Sequence, residues 1–177
     1  MTLPFPIPTL TTARLTLRAP READFAAMLA FNDSPRSAFV GGTRERQWVW
    51  RGLLANIGHW ALRGFGLYSV DTRAGDLIGR VGVIHHDGWP EPELGWHLYD
   101  GSEGKGYACE AALAARADYY ARISPRPVMS MVVPANHRSI ALAERLGARF
   151  ERLDPGEGKP FDTPFAVYRH PAPEGHA

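Results

Sequence analysis

Glu93-Leu-Gly-Trp-His-Leu-Tyr-Asp-Gly-Ser-Glu-Gly-Lys-Gly-Tyr-Ala-Cys-Glu110 is the stretch on which the fold turns. Glu93 to Tyr99 reads as a strand. Gly101, Gly104 and Gly106 make the segment after it a turn, because glycine lets the backbone bend sharply and come close to a ligand. From Tyr107 to about Ile123 the chain is alanine-rich and reads as a helix, stopped by Pro125 and Pro127. A strand that feeds a glycine turn opening a helix leaves unpaired N–H groups and a positive dipole end at one point, which suits a phosphate or pyrophosphate.

Downstream, Val128 to Val133 (VMSMVV) is apolar on both faces and predicts a buried strand. Asn136 to Leu146 predicts a helix, with Gly147 at its C′ position. Arg149 to Leu153 and Phe161 to Tyr168 predict the last strands. Upstream, Arg14 to Arg18 alternates polar and apolar residues, a strand pattern. Pro20 opens a helix whose Phe25, Met28 and Leu29 share a face. A second helix is expected from Thr43 as N-cap, with Trp50, Leu53, Leu54 and Ile57 on its apolar side. Phe65 to Asp71 and Asp76 to His85 read as strands joined at Thr72–Gly75. The first half is antiparallel and the second alternates strand and helix. The expectation is α/β of the α+β type, a mixed, mostly antiparallel sheet flanked by helices.

The chain has 177 residues, which suits one domain. The expected organisation is an extended lead-in over 1–11, a single domain over 12–170 and a tail over 171–177. Twenty Lys and Arg against 19 Asp and Glu leave a net charge of +1, which argues against a nucleic-acid-coating protein. One cysteine, Cys109, excludes an intrachain disulfide and a cysteine-rich zinc module. The opening residues lack the basic and apolar regions of a signal peptide, and no window approaches a membrane span. The expectation is a cytoplasmic protein with no nucleic-acid or membrane partner and no metal, as monomer or homodimer.

The glycine turn discriminates among phosphate sites. Gly101-Ser-Glu-Gly-Lys-Gly-Tyr fails the P-loop spacing, and Gly104-Lys-Gly-Tyr-Ala-Cys109 lacks the third glycine of a dinucleotide fingerprint. Gly104-Lys-Gly-Tyr-Ala108 followed by Glu110-Ala111 resembles the acyl-CoA loop of the GNAT superfamily of N-acetyltransferases. Asn136-His-Arg-Ser139 through Gly147 is similar to that family's segment on the other side of the cofactor. Arg14-Leu-Thr-Leu-Arg18, Ile78-Gly-Arg-Val-Gly82 and Glu93-Leu-Gly-Trp96 resemble its RimJ/RimL-like branch. Two positions depart from the family pattern. Gly101 stands where Gln or Arg is usual, and Ala143 stands where many members carry a tyrosine acid.

The resemblance implies a GNAT-like sheet with a glycine-rich strand-to-helix cofactor loop. It also implies direct transfer of an acetyl group from acetyl-CoA, as cosubstrate, to a primary amine, either a peptide N-terminus or a small molecule. The backbone at Trp96, His97 and Leu98 would then hold the pantetheine arm and supply the oxyanion contact. The amides of Glu103, Gly104, Lys105, Gly106, Tyr107 and Ala108 would cradle the pyrophosphate, with Lys105 adding charge. Asn136 would bond the pantetheine, or cap its helix, and Ser139 would lie near the CoA sulfur. The thiolate's proton would come from Ser139, water or solvent, or no acid would be needed. Glu93 is the first candidate for general base, its pKa raised among Trp89 and Trp96. Glu91, Asp87, His85, His86 and His97 are substitutes. Glu110 is expected to stabilise the helix start, and Cys109 has no covalent role. Trp48, Trp50 and Trp60 are either core or a wall of the acceptor groove, which the segment Phe31 to Gly42 would overhang. The alternatives are a non-catalytic acyl-CoA-binding regulatory domain on the same fold, motivated by Gly101 and Ala143, and a nucleotide-binding protein using the same turn.

Overall fold

The computed structural model describes residues 6–156 and 163–173. Eight strands form one sheet: β1 (Leu10–Thr11), β2 (Leu15–Arg18), β3 (Leu67–Thr72), β4 (Leu77–Ile84), β5 (Glu93–Leu98), β6 (Met129–Val132), β7 (Arg149–Asp154) and β8 (Phe165–Arg169). Their spatial order is β1-β2-β3-β4-β5-β6-β8-β7. All neighbours are antiparallel except β5 and β6. The mixed, mostly antiparallel sheet is therefore as expected. The two residues of β1 come from the lead-in, where Leu10 pairs with Leu17.

The β5–β6 seam positions everything that follows. Its ladder consists of the single pair Glu93↔Met129, after which the two strands part. Three other bonds hold the join. Met129 N–H donates to Pro92 C=O at 3.2 Å. Ser130 Oγ donates to Leu94 C=O at 2.6 Å, and Met131 N–H donates to Glu93 Oε1 at 3.1 Å. Ser130 in turn touches His170 Nε2 at 2.9 Å, and His170 Nδ1 lies 3.0 Å from Arg116 Nη1. The guanidinium can only donate, so His170 carries its proton on Nε2 and passes the chain on to Ser130. Beyond Leu94 the β6-facing edge of β5 has no strand partner among the described residues.

Four helices cover the sheet: α1 (Phe25–Asp33), α2 (Arg46–Arg63), α3 (Tyr107–Arg122) and α4 (His137–Arg145). Strand side chains alternate between faces. On one face Leu94 of β5 and Val81 and Val83 of β4 meet Ala111, Ala112 and Ala115 of α3, where small side chains let helix and sheet come close. On the other face His97 stacks on Phe31 of α1 with ring centroids 5.4 Å apart, and Tyr99 joins Met28, Phe31 and Leu53 of α1 and α2. At the sheet's other end Arg18 forks onto Asp24 at 2.8 Å and Asp71 at 2.6 Å, all three largely buried.

Local details differ from the sequence reading. The first helix begins with a 3-10 turn over Glu22–Asp24. Ser34-Pro35 does stop α1, but a second 3-10 turn, Pro35–Val40, follows at once. This turn displaces the start of α2 to Arg46, with Glu45 at the N-cap and no side-chain cap bond. Thr43 turns its hydroxyl to Ser37 at 3.4 Å instead of capping the helix. The last strand begins at Phe165, and Phe161 lies outside the described residues.

Candidate active site

The glycine turn forms as the sequence dictates. Gly101, Gly104 and Gly106 have φ of +79°, +72° and +78°, a region costly for any side-chain-bearing residue. Gly106 is the N-cap of α3 and offers no side-chain cap. Among the described residues no backbone or side-chain acceptor takes the amides of Glu103, Gly104, Lys105 or Gly106. The amides of Tyr107 and Ala108, in the first turn of α3, have no intrahelical partner by geometry. A Cβ at Gly101 or Gly104 would meet nothing within 4 Å, so the loop faces open space. The residues present therefore fit an anionic group held by backbone N–H.

Side chains hold the loop rather than point into it. Lys105 Nζ donates back to Gly101 C=O at 2.8 Å. Glu103 pairs with Arg36 at 2.6 Å. Arg14 Nη1 donates to Lys105 C=O at 2.8 Å and its guanidinium lies over the Tyr107 ring. Glu110 does more than complement the helix dipole. It accepts from Arg14 N–H and Nε at 2.8 and 2.7 Å and from Thr12 Oγ1 at 2.5 Å, tying α3 to the β1–β2 turn. Cys109 is partly buried against the main core.

Two cavities meet at the seam. A small one, about 70 Å³, is lined by Leu94, Trp96, Val132, Asn136 and Ser139. Trp96 Nε1 donates to Ser139 Oγ at 3.2 Å, bridging β5 to α4, so Ser139 keeps its own proton free to donate elsewhere. Asn136 Oδ1 accepts from Ser139 N–H at 3.2 Å, which is the N-cap bond of α4. Ala143 is wholly buried against Val132, Ala148, Ala166 and Tyr168. Among the cavity's lining residues there is thus no tyrosine.

The larger cavity, about 750 Å³, lies on the other face, under Ala38–Gly42 and α2. The segment Phe31 to Gly42 therefore does overhang it, through its last residues. Glu93, Gly95 and His97 of β5 and Arg80 of β4 line it, with Trp89, His86 and Asp87 from the β4–β5 loop. Glu93, Gly95 and His97 also line the small cavity, as do Phe39, Val40, Met131 and Val133, so the two cavities meet along this row of alternate residues.

Glu93 is buried, and burial pushes its carboxyl up to about 8, opposed only by the Met131 N–H. Trp89 shares its cavity as expected. Trp96 meets it on the other side, lining the small cavity that Glu93 also borders, with its indole turned onto Ser139. His97 Nδ1 accepts from Arg80 Nε at 2.8 Å. Burial and the nearby Arg80 and Arg36 push His97 well below the imidazole range. His97 is therefore neutral, with that nitrogen already occupied. His85 is spanned by Arg63 and the Trp89 carbonyl, and Glu91 pairs with Arg169 at 2.8 Å, so neither is free to act as a base. His86 lines the cavity, and burial lowers its pKa too. The tryptophans of α2 are not its wall. Trp60 is core, Trp50 packs edge-on to Phe25, and Trp48 lies under Arg51 and is 55% exposed. Among the described residues no group of three or more acidic, His or Cys side chains could hold a metal ion, and no helix is long and apolar enough to cross a membrane.

Arg80, Gly95, Phe39 and Met131 were not singled out by sequence reasoning. Arg80 had a signal, a lone charge between glycines on a strand of buried residues (Ile78-Gly-Arg-Val-Gly82). The others had none.

A glycine cradle at a helix start, beside a sheet that splits along one strand, is the arrangement that the resemblance of the sequence implies. The acetyltransferase (GNAT) domain family matches residues 14–149. An acetyltransferase structure from Agrobacterium tumefaciens is 40% identical, with a TM-score of 0.83, over 97% of this chain and 98% of that one. The protein YkkB of Bacillus subtilis is 26% identical over 90% of this chain and 93% of its own length. RimL, the ribosomal L7/L12 α-N-protein acetyltransferase in complex with coenzyme A, is 18% identical. It shares the fold at a TM-score of 0.70 over 93% of this chain and 96% of its own. The chain belongs to the GNAT acetyltransferase family.

Proposed function

We propose that the protein transfers an acetyl group from acetyl-CoA to a primary amine by direct attack in a ternary complex. One observation carries the reading. The parted edge of β5 runs from the buried Glu93 towards the turn whose amides are free, and a cavity opens on each face of that strand. Along that line the amides of Glu103 to Ala108 hold the pyrophosphate, with Lys105 fixing the loop. The open edge at Trp96, His97 and Leu98 takes the pantetheine arm and supplies the donor for the carbonyl oxygen as it becomes an oxyanion. Asn136 sets the start of α4 so that Ser139 faces the same channel.

On the other face the amine enters the larger cavity. Its nitrogen attacks the thioester carbonyl. The amine attacks in its neutral form. The N–C bond forms, the C–S bond breaks, and the proton shed by the now cationic nitrogen passes to ionised Glu93. The departing thiolate takes a proton from solvent, directly or relayed through Ser139, which solvent reprotonates. Holding both reactants in line supplies much of the rate, and general-base transfer adds about 10²- to 10⁴-fold. RimL acts on a ribosomal protein N-terminus. A peptide N-terminus and a small-molecule amine are the two acceptor classes for this chain.

The test is release of free CoA on incubation with acetyl-CoA and a panel of amines and peptides. Release with any acceptor supports the reading. No release, together with no CoA binding by calorimetry, overturns it. The buried Ala143 favours a second reading, a non-catalytic acyl-CoA-binding regulatory domain, whose signature is CoA binding with no turnover.

A further inference from the structure

Arg80 projects from β4, near the middle of the sheet, into the larger cavity. A guanidinium in such a place is costly unless it is paired. Other arginines of the sheet and loops follow that rule, with Arg18, Arg36 and Arg169 each resting on carboxylates. Arg80 does not. Its Nε donates to His97, which is neutral, and among the described residues Nη1 and Nη2 have no acceptor. His97 is itself clamped flat on Phe31, so the guanidinium fork is held in one orientation. Arg44, at the rim of the same cavity, also lacks an acidic partner among the described residues.

We propose that the acceptor is a small amine that also carries a carboxylate, bound bidentately by Arg80, with Arg44 adding attraction at the entrance. The proposal rests on the acetyl-transfer reading and specifies its substrate class. A cavity presenting two arginines against Asp87 and a protonated Glu93 repels a bare alkylammonium ion. A carboxylate on the same molecule offsets that repulsion. Arg is suited to it, because its planar fork matches the two oxygens. The strand also sets a spacing. Arg80 is paired with His97, and Glu93 lies four residues further along β5 on the same face. At roughly 3.3 Å per residue their backbones are about 13 Å apart, and the arginine side chain spans part of that distance. The carboxylate is thus several bonds from the reacting nitrogen, as in an ω-amino acid.

The experiment compares matched amines by CoA release: 6-aminohexanoate against hexylamine, and lysine against cadaverine. The carboxylated member of each pair should show a kcat/KM about 10- to 100-fold higher, the range of a charge-assisted hydrogen-bonded pair. Arg80→Met should bring the carboxylated amine down to the level of its neutral counterpart, and Arg80→Lys should keep part of the preference. Thermal melting checks that each variant is folded. Calorimetry with the product analogues 6-acetamidohexanoate and N-hexylacetamide, in the presence of CoA, reads the same preference without turnover. Equal kcat/KM within the wild-type pairs, or acetylation of peptide N-termini irrespective of their acidic residues, overturns the proposal and leaves acetyl transfer standing. Binding of the acid but not the amide, with no amine acetylated, overturns the transfer reading and leaves Arg80 as a carboxylate site.

Discussion

Glu93 of β5 accepts the backbone N–H of Met131 of β6 at 3.1 Å, across the line where the two strands part. The bond fixes one carboxylate oxygen, and burial holds the group protonated up to about pH 8. As a base Glu93 must first lose that proton. The kcat/KM is therefore expected to rise with pH, reach half its plateau near 8 and level off above it. His97 and His86 face the same cavity, but both are pushed below the ordinary imidazole range and supply no limb there. Glu93→Gln should cut turnover by about 10²- to 10³-fold with little change in CoA affinity, and should abolish the limb. A limb that survives in the Gln variant belongs to the amine and removes Glu93 from the role.

The same shift affects stability with a definite sign. Glu93 keeps its proton in the fold between about 4.5 and 8 while the unfolded chain has lost it, so this group makes stability fall as pH rises through that window. His170 acts in the opposite direction. Burial lowers it to about 3, so below the ordinary imidazole range of 6.5 the unfolded chain binds a proton that the fold refuses, and stability falls as pH drops. Urea melts from pH 4 to 8 should show the alkaline decline vanish in Glu93→Gln. The acid decline should lessen in His170→Gln.

Two glycines on neighbouring strands should respond oppositely to enlargement. A Cβ on Gly82 would lie 2.1 Å from the Gly66 carbonyl oxygen, so Gly82→Ala should destabilise by about 1–3 kcal/mol in urea titration. A Cβ on Gly95 meets nothing within 4 Å, because the residue is bare floor between the two cavities. Gly95→Val should melt no earlier than wild type yet lose roughly 100-fold in turnover. Unchanged turnover would show that the reaction does not occur there.

Ser139→Ala leaves the Trp96 indole N–H without its acceptor. A loss of about 1 kcal/mol in stability is expected from that alone. If Ser139 also protonates the thiolate, kcat falls while KM for acetyl-CoA holds. Trp96→Phe removes the same bond and should leave kcat higher than Ser139→Ala does.

Cys109→Ala should leave turnover unchanged, since its side chain packs against the core and no step calls on sulfur. Loss of activity, or a trapped acetyl group on the cysteine, would reveal a covalent route.

The strand, glycine turn and helix from Glu93 to Arg122 were legible because each obeys a local rule: alternation, positive φ, and alanine periodicity ended by proline. The parting of β5 and β6 was not legible, since it depends on how far two strands distant in sequence stay paired. The same limit hid Arg80, which differs from other charged strand residues only in what lies opposite it. Thr43 misled because a good capping residue is overruled when a 3-10 turn claims its hydroxyl. The roles of α2's tryptophans depended on the helix's rotation, which the apolar spacing alone left open.

The seam leaves the sheet mechanically divided. Among the described residues, strands β6, β8 and β7 are joined to the other five along the seam by one ladder pair, the Met129–Pro92 backbone bond, a serine–histidine–arginine chain, the Glu93 carboxylate and the Glu91–Arg169 ion pair. Whatever fills the wedge also rivets the two halves, so the rigidity of this molecule follows the supply of its own reactant. Amides of β6 and β8 should exchange hydrogen faster than those of β3 and β4 in the free protein and draw level as CoA is added. The protein would then be stiffest when it has something to transfer.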